Sequence, residues 1–137
     1  MAQHDYLMRQ IQMLTLFLAK LISRLLHVPD NENPEEAEKA VFTAFSEELK
    51  IDLKELLFLS DTDFLKVVRE NFPREEHLDK LAEVLFLIGK NIQFEYTPTR
   101  QAGLQKAFAL FEFLQGNSPD FSVERSNRMM QIRELLN

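Results

Sequence analysis

A chain of 137 residues has the size of one domain, and a hydrophobic content of 45% supplies a core that a disordered tail lacks. It has no cysteine, which excludes disulfides, thiolate metal sites, iron–sulfur clusters and cysteine nucleophiles, and it offers no sign of an oxidising compartment. A net charge of −6 argues against a general nucleic-acid binder, which carries a basic face.

The aromatic residues are 12 Phe and 2 Tyr with no Trp, and Phe, lacking a polar tip, points to buried packing. Charge is unevenly spread. Residues 1–29 carry Arg9, Lys20 and Arg24 against Asp5, whereas residues 30–60 hold nine acids against Lys39, Lys50 and Lys54. Such a run is ordinarily a solvated face; the same asymmetry also suits head-to-tail association.

The elements follow in chain order, all of them helical. The first helix is expected from Asp5 to Leu26, stopped by the approach to Pro29. Leu7, Ile11, Leu14, Leu18, Leu21, Leu25 and Val28 form one stripe at helical spacing, widened by Met8, Phe17, Ile22 and Leu26. Asp5, Arg9, Gln12, Lys20, Ser23 and His27 share the opposite face, with Leu16 in its middle and Met13 at its edge. Only ten residues separate Arg9 from Lys20, short of the roughly 18 apolar residues of a spanning helix. Neither a secretory signal nor a membrane span is expected, and the cytoplasm is the expected location.

Asn33-Pro34-Glu35-Glu36 joins a capping amide, a first-turn proline and acids at the positive dipole end, which starts a second helix running to Leu49. A short third helix is expected from Asp52 to Phe58. Ser60, with Asp63 three residues on, resembles a capping box for a fourth over Asp61–Asn71. Pro73-Arg74-Glu75-Glu76 opens a fifth helix, expected to reach Glu95. Thr97-Pro98 opens a sixth, with Gly116 as its expected C-terminal glycine cap, and Ser122 caps a seventh. No strand-like alternation competes, and no linker or repeat divides the chain, so residues 1–137 read as a single all-α domain of about seven helices in antiparallel hairpins.

Two patterns carry a resemblance. Leu85-x2-Ile88-Gly89-x2-Ile92, followed by Ala107-x3-Phe111-x2-Leu114-x4-Pro119, resembles a tetratricopeptide hairpin over roughly residues 75–116, in which small residues let two helices approach closely. Leu85 replaces the usual aromatic, Leu114 replaces a usual small residue, and no second copy follows, so the concave groove of about three stacked repeats is not implied. The whole chain is also similar to a family of small, functionally uncharacterised bacterial helical proteins with a tetratricopeptide-like core. That similarity rests on Asp5-Tyr6-Leu7-Met8-Arg9-Gln10-Ile11, Leu59-Ser60-Asp61 and Phe121-Ser122-Val123-Glu124-Arg125. It implies a fold and a bacterial, cytoplasmic setting, and no activity.

Glu75, Glu76, His77 and Asp79 are residue types that bind metal, but His-Glu-x-x-His and the paired Glu-x-x-His of di-iron bundles are absent. Acids in a first helical turn answer the dipole, as do Glu35, Glu36 and Glu38, so neither metal nor cofactor is expected. Serine elbows and glycine-rich phosphate loops are missing, and no enzyme is expected. Arg125, Arg128 and Arg133 read as the ordinary charges of a terminal helix. The expected function is a non-enzymatic protein–protein interaction module, with a homodimer as one form of it. Its expected surface includes Met13 and Leu16 on the first helix and Phe113, which lies across the sixth helix from Phe111. The alternative is peripheral attachment to a membrane surface through the amphipathic first helix.

Overall fold

The computed structural model describes residues 2–137, with side-chain burial from residue 3. Its elements are α1 (Ala2–Leu26), α2 (Pro34–Leu49), α3 (Leu53–Leu57), α4 (Asp61–Asn71), α5 (Glu75–Gly89), a 3-10 turn (Lys90–Gln93), α6 (Pro98–Asn117) and α7 (Val123–Leu136). The described residues contain no strand, and the fold is all-α.

Five helices begin on a side-chain cap that satisfies an otherwise unpaired backbone donor. Asn33 accepts from the Glu36 N–H, Asp52 from Glu55, Ser60 from Asp63, Thr97 from Arg100 and Ser122 from Arg125, all at 3.0–3.2 Å. α5 is the exception: Arg74 stands at its N-cap without a side-chain hydrogen bond.

Two helix ends differ from expectation. α5 stops at Gly89 rather than Glu95, tightening into the 3-10 turn because the chain must be extended at Thr97 (φ −138, ψ 150) ahead of Pro98. Gly116 is no C-terminal cap: it does not adopt positive φ, and α6 runs on to Asn117. Termination there comes from Ser118, extended (φ −91, ψ 141) because Pro119 follows it. Among the described residues the one non-glycine of positive φ is Lys50 (φ 58), which closes α2.

The centre of the molecule is the pair α5 and α6. From Leu81 to Gly89 every α5 residue except Glu83 is buried, as are Ala102, Gly103, Leu104, Lys106, Ala107, Ala109, Leu110, Phe111 and Leu114 of α6. Helices apolar all round must be wrapped on all sides. α1 covers one side of α5, while α3, α4 and α7 cover α6. Phe45 joins α2 to this core, with its ring edge-on to Phe17 (centroids 5.1 Å apart) and Phe72 (6.5 Å).

α5 and α6 meet most closely at their connected ends, at Gly89, Gly103 and Leu104. Ala107, expected opposite Gly89, lies one turn further along and is fully buried. At their other ends the Ser118 hydroxyl donates to Glu75, so the two helices run antiparallel. A Cβ on Gly89 would lie 2.5 Å from Leu104 Cγ and 2.9 Å from the Leu104 backbone nitrogen.

Gly89→Ala should therefore lower the melting temperature, since overpacking costs about 1–3 kcal/mol and exceeds the helix-propensity gain of about 1 kcal/mol. Gly116→Ala, whose Cβ would meet nothing within 4 Å, should raise it. A stable Gly89→Ala protein would refute the close approach.

Candidate interaction surface

The charged groups of the interior are consumed in pairing. Glu38 and Arg100 form a buried pair, with Arg100 Nε donating to Glu38 Oε1 at 2.9 Å and Nη2 to Oε2 at 3.1 Å. A third Arg100 donor reaches the Glu95 carbonyl at 2.7 Å, tying the loop before α6 to α2. Lys106 pairs with Asp61 at 2.9 Å.

The acids at the start of α5 answer more than the helix dipole. Arg125 of α7 donates to Asp79 (Nε, 2.8 Å) and Glu75 (Nη2, 2.6 Å), and Arg128 grips Glu83 while stacking 4.3 Å above the Phe86 ring. Glu75 is held below the ordinary carboxyl range by its hydrogen bonds from Arg125 and Ser118. Arg125 is raised by its hydrogen bond to Asp79, with burial opposing. In the 530 Å³ cleft here Asp79 and Glu83 are matched by Arg125 and Arg128, and Glu124 accepts from the Ser122 hydroxyl.

His77 is fully buried between α5 and α1, with Nε2 2.8 Å from the Thr15 hydroxyl. That hydroxyl gives its only hydrogen to the Ile11 carbonyl (3.0 Å), so Nε2 carries the imidazole hydrogen and Nδ1 is left bare, without a partner. Among the described residues, no three His, Asp or Glu side chains converge on a point that could hold a metal ion.

The three residues expected to mark an interaction surface do not come together. Met13 and Leu16 do: they are 61% and 60% exposed and share a groove of about 220 Å³ with Phe17, Lys20, Leu21 and Glu48. Phe113 lines a separate cleft with Leu78 and Leu114, half-buried beneath the Arg69 guanidinium at 4.6 Å. Its side of α6, carrying the buried Ala102 and Ala109, is covered from within the chain.

Sequence periodicity did not reveal a further feature of α1. Residues 3–10 are all exposed, so the inner stripe continues as Leu7 (58% exposed) beyond the elements that cover it. Tyr6, at 60%, joins Met13 and Leu16 on the outer side. Comparison with known proteins matches this chain to no family model, no curated protein and no solved structure.

His77 has a pH consequence. Burial lowers its pKa below 6.5, with Glu76 opposing, because protonation would place a second N–H where no acceptor waits. The unfolded chain then binds more protons than the folded one just below pH 6.5, so stability falls as the pH drops through that value. The melting temperature should decline between pH 7.5 and 5.5, and His77→Gln should flatten the decline. An equal decline in His77→Gln would assign it to other groups.

Proposed function

We propose that this chain is a cytoplasmic, non-enzymatic interaction module that associates with another copy of itself through the outer face of α1. The observation that carries this reading is the Met13–Leu16 groove. Two large apolar side chains about one helical turn apart stand mostly in solvent, and between them and the body lie Phe17 and Leu21, themselves core residues. Covering such a groove removes apolar surface from water at about 25 cal/mol per Å². One exposed leucine is unremarkable; here Tyr6, Met13 and Leu16 recur along one side of one helix.

The pairing of the buried charges supports a role without chemistry. Groups suited to acid–base work, Glu38, Asp79 and Glu83, are each engaged by an arginine. The absence of cysteine suits a reducing compartment. No helix among the described residues is long and apolar enough to cross a membrane. Arg9 and Lys20 beside the exposed apolar residues favour a second reading, attachment to an anionic membrane surface.

Size-exclusion chromatography with light scattering separates these readings. The protein should run as a dimer at low micromolar concentration, and Leu16→Glu should run as a monomer with an unchanged melting temperature. A monomeric parent protein would end the self-association reading. Co-sedimentation with phosphatidylserine vesicles, abolished in Leu16→Glu, would replace it with the membrane reading.

A further inference from the structure

The outer side of α1 has its own order. Tyr6, Arg9, Met13, Leu16 and Lys20 follow a 3-4-3-4 spacing, and all five are exposed. This is the spacing of a seam between two helices. From Ile11 on, the inner stripe is spent on the body of the molecule, so this part of the helix carries a second stripe with no partner of its own. The stripe also has two unlike halves. Its first half, residues 3–10, is exposed on every side and projects Tyr6; its second half borders the groove lined by Met13, Leu16, Lys20 and Glu48. A projecting half and a grooved half on one helix are complementary when two copies lie antiparallel about a twofold axis.

Resting on the self-association reading above, we propose that α1 pairs antiparallel with α1 of a second copy, with the twofold axis at Gln12–Met13. In this register Asp5 lies opposite Lys20 of the second copy. Arg9 lies opposite Leu16, with its guanidinium at the groove that Glu48 borders, and Tyr6 enters that groove beside Ala19. Twofold symmetry repeats each contact, giving two Asp5–Lys20 pairs and two Arg9–Glu48 pairs around a centre of Met13 and Leu16 side chains.

Charge selects this register. Moving the axis about half a turn toward the C-terminus sets Arg9 against Lys20 twice over, and it offers Asp5 only Arg24, which Glu32 already holds. Moving it toward the N-terminus withdraws Asp5 from Lys20 and leaves the groove beside Leu21 unfilled. Exposed ion pairs add little affinity, but they fix orientation and reject mismatched alignments.

The test is a charge swap measured by analytical ultracentrifugation of the full chain. On one copy Asp5 and Lys20 are fifteen positions apart, about 22 Å along the helix and beyond the Debye length of about 10 Å at 0.1 M salt. Any coupling between them therefore crosses from copy to copy. Asp5→Lys and Lys20→Asp should each weaken the dimer roughly tenfold, and the double variant should recover to within a few-fold of the parent. Because the chain lacks cysteine, Met13→Cys provides an independent check: mild oxidation should give a covalent dimer, whereas Met130→Cys, exposed on α7, should give none.

A dimer indifferent to both single reversals, or not rescued by the double variant, overturns the register while leaving self-association standing. So does a Met13→Cys protein that dimerises without crosslinking. A parent protein monomeric throughout removes the register and the self-association reading together.

Discussion

The fold depends on burying α5 on every side. Between Leu81 and Gly89 only Glu83 reaches solvent, and it is held by Arg128. A helix of this kind has no stable surface of its own, so the remaining elements are arranged by the need to cover it. α6 comes closest because Gly89 and Gly103 allow its backbone to approach, and α1 takes another side with its leucine stripe. α1 is then committed along one face only. Its breadth of apolar residues, more than one contact needs, leaves Met13 and Leu16 outside.

Charge fixes how the outer helices sit on this centre. Arg100 reaches Glu38 across 62 positions of sequence, and Arg125 reaches Asp79 across 46, so each pair ties together two helices far apart in the chain. Desolvating such pairs offsets most of their attraction, and an apolar replacement of both partners is often no less stable. Loss of one partner is different, because it leaves a buried charge alone, at a cost of about 3–5 kcal/mol. The pairs therefore act mainly against misplacement: α2 or α7 docked one turn out of register would bury an unmatched arginine.

Much of the helix pattern was legible because it is local. Asn33, Ser60, Thr97 and Ser122 act on donors three residues away, and the inner stripe of α1 is visible in its spacing; Asp52, expected to open the third helix, caps it from one residue outside. A glycine near a helix end has the same signature whether it caps or continues the helix; Gly116 continues it, and Pro119 ends α6 through Ser118. The cluster Glu75–Asp79 was legible as acids at a helix start, but not as the seat of Arg125, which lies far along the chain. Periodicity marked Leu7 and Leu18 alike; that one is 58% exposed and the other fully buried depends on where the covering helices end, which spacing does not record. Phe113 likewise looked unpartnered until α4 brought Arg69 across its ring.

A chain with a net charge of −6 repels its own copies, and two acidic surfaces do not associate for want of a better partner. The repulsion is not uniform. The acids concentrate between residues 30 and 60, while α1 carries Arg9, Lys20 and Arg24 against Asp5. Beyond about 10 Å, salt screens most of the overall charge, so the groups at the contact decide whether copies can approach. α1 brings Lys20 to the edge of a groove bordered by Glu48, and Arg9 and Lys20 share a side of the helix with the exposed apolar residues Tyr6, Met13 and Leu16. Self-association through this face, as proposed, would set attraction between opposite charges and removal of apolar surface from water in the same place.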